Sequence, residues 1–337
     1  MCESLAATAP MSGPVRVFLT NSGAEAVEGA LKLARFATGR PNVISFFGAF
    51  HGRTYGAVTL TASKAKYHQG FGPLLPGVFH APYACNQIDP DSGTRSHDPE
   101  ETFDYLENVL FRYEAPASEV GAIFVEPVQG EGGYIVPPAE WLVRLRELCT
   151  RHGILLVADE VQSGMGRTGR MWAIEHADVE PDIIISAKGL ASGLPLGAFM
   201  ARADLMESWT AGAHGSTYGG SPVPCAAGIA TLDVISSSGL LANAAEQGEF
   251  LMSGVRELQH KYPDFITDVR GVGLMIGVEF RTAGEAEEVQ REAFERGLLV
   301  LECGERSIRI SPPLVVSSGQ ASTGLRLLGE AIHAVAR

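Results

Sequence analysis

Apolar runs that alternate with one-sided helical patterns fill the first two thirds of the chain. Val15–Thr20 (VRVFLT) reads as a strand running into Asn21-Ser22-Gly23 and then AEAVEGALKLARFATG. Within that stretch Val27, Ala30, Leu31 and Ala34 recur at the period of a helix with one apolar face. Ser22 and Glu25 match the S-x-x-E capping box, and Gly39 followed by Pro41 closes the helix. Further strands are expected at residues 43–46, 122–125, 154–158, 183–186 and 198–201. Trp141, Leu142, Leu145, Leu148 and Cys149 make another one-sided helix, stopped at Gly153. Strands separated by helices mean βαβ units and an α/β fold with a mostly parallel sheet.

The texture changes after about residue 230. A long amphipathic stretch over 240–262 leads to short strands near 265–269 and 273–280. A Glu-rich helix over 285–296, strands near 298–301 and 308–310, and a closing helix over 319–335 follow. The pattern predicts a large domain over 1–230 and a smaller C-terminal α+β domain over 231–337. The polar, turn-rich segment 89–100 (DPDSGTRSHDPE) reads as a surface loop.

Composition narrows the classes. The 337 residues hold 26 Lys plus Arg against 39 Asp plus Glu, a net charge of −13. An acidic balance argues against nucleic acid or an anionic membrane as partner, since both need clustered positive charge. No apolar run approaches the roughly 20 residues that span a bilayer. The N-terminus, MCESLAATAPMSG, has neither the basic nor the apolar region of a signal peptide. Five scattered cysteines (Cys2, Cys85, Cys149, Cys225, Cys303) without a C-x-x-C fit reduced thiols in a cytosol better than disulfides or a metal site. A cytoplasmic location is therefore expected. Glycine is in excess, 39 of 337, against an average of about 7%, which suits tight turns and close backbone approach to ligands.

Open α/β sheets bind ligands beyond the carboxyl ends of their strands, and four such ends are unusual. Thr20-Asn21-Ser22-Gly23-Ala24 offers free N–H groups and a helix dipole to a phosphate; a serine N-cap with a turn glycine explains the same residues. Asp159 and Glu160 end an apolar strand, where a carboxylate needs a cationic partner. A protonated cofactor ring nitrogen would serve, as would an arginine or the next turn. Lys188 follows the all-aliphatic Ile183-Ile184-Ile185. There it is either a lysine of lowered pKa, able to form a Schiff base, or one that reaches out to solvent. Glu126 and Glu131 lie in a glycine-rich turn, VEPVQGEGG. A phosphate cradle, a carboxylate for a ring nitrogen and a desolvated lysine together describe a pyridoxal 5'-phosphate (PLP) site.

The motifs TNSGAEAVEGALKLAR, FFGAFHGRTYG, VEPVQGEGG, LLVADEVQSGMGRTG, PDIIISAKGLASGLPLGA, HGSTYGG and IRISPP, in this order, resemble those of the class III (ω-amino-acid) aminotransferases, which are fold-type I PLP enzymes. The resemblance spans residues 20–313. It implies that Lys188 is the Schiff-base lysine and proton carrier, and that Asp159 keeps the pyridine nitrogen protonated. Gln162, one helical turn further on, would hydrogen-bond the phenolic oxygen. Gly23 and Ala24, after Ser22, would hold the phosphate, and Phe50 would stack on the ring beside His51; Glu126 belongs to the same cofactor set. Thr217 resembles the residue that reaches the neighbouring subunit's phosphate, which implies a homodimer. Arg309 resembles the arginine for an α-carboxylate, and Glu131 the acid that masks it. Arg53 resembles the position that takes a distal carboxylate. A strand-surface arginine remains the plain alternative for Arg309.

The activity so implied is amino transfer from an ω-amino acid such as 4-aminobutyrate to 2-oxoglutarate. Acetylornithine or ornithine transamination, and racemase or aminomutase chemistry, would use the same cofactor residues. The family carries a sizeable segment before the SGAEA turn, whereas only 21 residues precede Ser22 here. The resemblance therefore also implies an N-terminally short chain, with an inactive pseudo-enzyme as a further alternative.

Overall fold

The computed structural model describes residues 1–84 and 99–336. Seven strands form the larger sheet: β1 (Val15–Thr20), β2 (Asn42–Phe46), β3 (Val78–Ala81), β4 (Val120–Val125), β5 (Leu155–Asp159), β6 (Ile183–Ser186) and β7 (Gly197–Arg202). Their order is β1-β7-β6-β5-β4-β2-β3, and only β7 runs against the rest. The central strands are buried on both sides, so alternate residues feed two different cores. Phe46, Ile123, Val125, Leu156, Ala158 and Ile184 face one core, against Trp141, Leu142, Leu145 and Leu148 of the helix Ala139–His152. Val43, Phe124, Val157, Ile183 and Ile185 face the other, against Val27, Ala30, Leu31 and Ala34 of the helix Gly23–Thr38. Each fully buried side chain of this kind contributes roughly 1.5–3 kcal/mol. The mostly parallel sheet with helices on both faces is the one expected.

A second sheet, in the order β10-β11-β9-β8, is antiparallel: β8 (Ile266–Val272), β9 (Met275–Phe280), β10 (Leu301–Cys303) and β11 (Ser307–Ile310). Its core gathers Leu251 and Val255 of the helix Leu240–Lys261, Val289 of Ala283–Glu295, and Leu328 and Ile332 of Ser318–Val335. The first core extends to Ile235, and the second begins at Ala244. Among the described residues no single helix is long and apolar enough to cross a membrane.

Several local expectations are corrected. β3 went unforeseen, being four residues long and only partly covered at the sheet edge. The strand expected over 298–301 lies at Leu301–Cys303 instead. The hairpin turning at Gly304 pairs Leu301 with Arg309 and Cys303 with Ser307. The Ser22 hydroxyl caps the Glu25 N–H at 3.2 Å, but the Glu25 carboxylate returns to Asn21, through its N–H and Nδ2, and not to Ser22. Only half of the capping box forms. Cys85 and residues 89–98 of the expected loop lie outside the described residues, and Glu100 already begins the helix Glu100–Asp104.

Candidate active site

The carboxyl ends of β1, β2, β4, β5 and β6 converge on a cleft made of two adjoining cavities, of about 520 and 800 Å³. The smaller is lined by Ser22, Gly23, Ala24, Phe50, His51, Arg53, Glu126, Asp159, Gln162 and Lys188. The larger holds Glu131 and Arg309, and shares Val161, Gln162 and Lys188 with the first. Of the residues singled out from sequence, Glu160, buried against the Ser163 hydroxyl and the Ile174 N–H, lines neither, and neither does Thr217. It lies exposed beside Ser216, whose hydroxyl accepts from Asn21 Nδ2 at 3.1 Å.

Gly23 and Ala24 are the first residues of the helix Gly23–Thr38. Their N–H groups have no intrahelical acceptor and sit at the positive end of the dipole. Gly197 of β7 passes directly behind this turn. A Cβ there would lie 2.4 Å from the Ser22 carbonyl oxygen and 2.6 Å from Thr20 Oγ1, so only glycine permits the approach.

Asp159 is buried at the end of β5. Its Oδ1 accepts the Val161 N–H at 3.0 Å and its Oδ2 meets His51 Nδ1 at 2.7 Å. On the far side of the ring, His51 Nε2 is 3.1 Å from Ser45 Oγ, and that hydroxyl donates to the Leu60 carbonyl at 2.8 Å. A hydroxyl has one hydrogen, so Nε2 must be the donor to Ser45, while Nδ1–H donates to the carboxylate. This arrangement favours the protonated His51 ring. Burial alone would push its pKa down, but the Asp159 hydrogen bond and charge, aided by Glu126, raise it. Glu126, also buried, takes the Phe50 N–H at 2.8 Å and the Gly130 N–H at 3.0 Å, one on each oxygen. It ties the aromatic segment to the glycine-rich turn, and burial pushes its pKa up to about 7.

Lys188 follows β6 with φ +45°, a left-handed conformation that costs a non-glycine residue about 1–3 kcal/mol and is stored at functional sites. Its Nζ opens onto the cleft and donates to Gln162 Oε1 at 3.2 Å. The enclosing protein lowers its pKa by desolvation, against the opposing pull of Asp159, Glu126 and Glu131. Gln162 Nε2 in turn donates to the Tyr134 hydroxyl at 2.9 Å. The segment that carries Gln162 is a run of turns and not the helical turn expected. In the larger cavity Arg309 of β11 pairs with Glu131 at 2.7 Å. Arg53 has its guanidinium 5.1 Å from the Phe50 ring centroid and 5.5 Å from that of Tyr67.

Three contributors were not singled out from sequence. Ser45 sits in the buried strand β2, where a lone hydroxyl among apolar residues was a readable signal. Tyr134 directly follows VEPVQGEGG, and Arg167 lies inside VQSGMGRTG. Their motif membership was visible, but their partners come from distant segments.

The chain's likeness to known proteins agrees with this geometry. The family model described as "Aminotransferase class-III" matches residues 1–332. Over 326 residues the chain is 42% identical to the acetylornithine aminotransferase of Synechocystis sp., covering 94% of this chain and 72% of that protein. It is 39% identical over 347 residues to the 5-aminovalerate aminotransferase DavT of Pseudomonas putida, covering 100% of this chain and 79% of the relative. The amine transaminase of an uncultivated Pseudomonas species, solved in its PLP-bound form, superposes with a TM-score of 0.85 at 34% identity, over 95% of this chain and 76% of that one. With a matching family model along nearly its whole length and relatives of this identity, the chain belongs to the class III aminotransferase family.

Proposed function

We propose that this aminotransferase moves an amino group from an ω-amino acid of the 4-aminobutyrate type to 2-oxoglutarate, with Lys188 as the residue that bonds the cofactor. The cofactor is PLP, which supplies an aldehyde for the amine and a ring that draws electrons from the bond being broken. The smaller cavity fits such a group. It places an amine of lowered pKa, a buried carboxylate hydrogen-bonded to a histidine, and two helix N–H groups without intrahelical acceptors around one space.

In this reading Asp159 would hold the proton of the pyridine nitrogen, and His51 fixes the Asp159 carboxylate through its 2.7 Å hydrogen bond. Gly23 and Ala24 receive the phosphate through their N–H groups, and Gln162 faces the phenolic oxygen. Phe50 covers one ring face, with Glu126 fixing its backbone. Lys188, at the centre of the cleft, would bond the cofactor and would serve as the base that moves the substrate's proton. Thr217, exposed and outside the cleft, would serve the phosphate of a second subunit in a dimer, and the division near residue 230 would separate cofactor binding from substrate closure.

The Glu131–Arg309 pair carries the substrate assignment. A guanidinium that faces the reacting lysine's cavity and has a displaceable internal partner suits two substrates, only one of which bears an α-carboxylate. Arg53, stacked on Phe50, would take the donor's carboxylate.

The test is the visible spectrum of the PLP-loaded protein. The band should disappear in Lys188→Ala, bleach with 4-aminobutyrate and return with 2-oxoglutarate. A band that ignores 4-aminobutyrate would refute the donor. Inversion of an amino acid's configuration in the absence of any oxo acid would refute transamination in favour of a racemase.

A further inference from the structure

The glycine-rich turn after β4 does more than present Glu131. It closes on itself, with the Gln129 N–H donating to the Ile135 carbonyl at 3.0 Å and the Ile135 N–H to the Gln129 carbonyl at 3.2 Å. Within that loop Tyr134 has φ +56°, a left-handed conformation rare for a residue with a side chain. Its ring lies in a buried cluster with Val128, Ala173, Met275 and Cys303. Its hydroxyl meets the Gln162 amide, and the turn touches that amide a second time. Gly130 lies so close that a Cβ on it would stand 2.4 Å from Gln162 Oε1.

The two halves of the amide are not interchangeable here. An ammonium can only donate, so Lys188 Nζ, 3.2 Å away, requires Oε1 on its side. Nε2 is then turned to Tyr134, whose hydroxyl accepts at 2.9 Å. Nε2 carries two hydrogens and this bond uses one. Among the described residues Gln162 Nε2 has no other acceptor. Without the hydroxyl the amide is free to turn about its last bond, and the reversed orientation sets N–H groups against the Lys188 ammonium. Desolvation already lowers the pKa of Lys188; Asp159, Glu126 and Glu131 favour its charged form and Arg309 opposes it.

We propose that Tyr134 is a positioning residue: its hydroxyl fixes the rotation of the Gln162 amide, so that Oε1 serves Lys188 and one Nε2 hydrogen is kept for the cofactor's phenolic oxygen. The turn that carries Glu131 thereby also sets the state of the reacting amine. The hold on the amide and on Lys188 stands by itself, whereas its meaning for the phenolic oxygen rests on the reading above.

Tyr134→Phe deletes the hydroxyl and keeps the ring. In the cofactor-free protein, the titration of Lys188 is read from the pH dependence of its acetylation by trace acetic anhydride, quantified by mass spectrometry. The ammonium loses a fixed acceptor, so Lys188 should hold its proton about two- to tenfold less tightly, the worth of one hydrogen bond. In the PLP-loaded protein the visible band should titrate at higher pH, because a donor to the phenolic oxygen favours its anionic form. Gln162→Met removes the amide at similar length and should weaken the Lys188 proton by itself. In that background Tyr134→Phe should change neither reading further. Shifts as large there as in the wild-type background, or a Lys188 titration unmoved by Tyr134→Phe, would overturn the proposal and leave Tyr134 as a filler of its buried cluster. Should Tyr134→Phe not fold, a Lys188 titration unmoved by Gln162→Met would overturn it equally. If Lys188 responds and the band does not, the hold on the amide stands and Gln162 loses its place at the phenolic oxygen.

Discussion

Replacing Glu131 by glutamine should move the two substrates proposed for this enzyme in opposite directions. The Arg309 and Glu131 side chains are 17% and 23% exposed and meet at 2.7 Å. At an effective dielectric of about 20 their attraction is roughly 6 kcal/mol, and the desolvation that both ions suffer cancels much of it. A net worth of about 1–3 kcal/mol is reasonable for a half-buried pair of this kind. An oxo acid that uses Arg309 must first displace Glu131, so Glu131→Gln should lower the KM for 2-oxoglutarate by roughly 5- to 150-fold. An ω-amino donor has no α-carboxylate to offer Arg309. In the variant it would face an unmasked cation, and its KM should rise. The backbone of the turn does not depend on this carboxylate. The Glu131 carbonyl accepts from the Gly304 N–H at 2.8 Å, and the Gly133 carbonyl from Arg270 Nε at 2.9 Å. Steady-state kinetics with each substrate varied in turn would check this. If both KM values rose together, or that for 2-oxoglutarate stayed fixed, the pair would be a brace between the glycine-rich turn and β11.

Two further outcomes follow from the same geometry. Burial raises the Glu160 pKa from 4.5 to about 7, against the pull of the Ser163 hydroxyl and the Ile174 N–H. The proton is therefore held more tightly in the folded state. The resulting penalty is absent below about pH 4.5, grows through pH 7 to roughly 3 kcal/mol and is complete above that. Glu160→Gln should flatten this dependence and be the more stable protein at pH 8; urea unfolding between pH 5 and 8 that found it less stable there would mean the carboxylate's hydrogen bonds outweigh its burial. Gly197→Ala would place a methyl 2.4 Å from the Ser22 carbonyl. The turn should shift at a cost of about 1–3 kcal/mol, and the phosphate should bind more weakly, so equilibrium dialysis that found unaltered PLP affinity would refute its place in the cradle.

The cofactor end of the site was legible in sequence because its signals are local. A lysine directly after three isoleucines, or an aspartate closing an aliphatic strand, violates the apolar pattern at a known place on a known element. The parallel topology then carries both to the same rim. The misses have equally local causes. Val78–Ala81 is too short and too exposed at the edge to show a period. The register of Leu301–Cys303 is set by its hairpin partner and not by the apolar run just before it. Tyr134 and Arg167 have ordinary surroundings in the chain. They acquire their meaning only from Gln162, Leu274 and Pro312, which reach them through tertiary packing.

That contrast divides the labour within the site. Lys188, Asp159, Glu126 and the helix start at Gly23 are fixed by strand ends of one sheet, whose cores on both faces leave them little freedom. The charged groups of the larger cavity straddle the two sheets. Glu131 comes from the turn after β4, Arg309 from β11 of the second sheet, and Arg167 from the first sheet's turn segment but tied to carbonyls of the second. On the proposed roles, chemistry common to every amine is held by one rigid core, whereas the reading of carboxylates depends on how the second sheet sits against the first. Substitutions in the contact between the sheets should therefore change KM values and the choice among acids before they change the cofactor's spectrum. Substitutions beneath the strand ends should do the reverse.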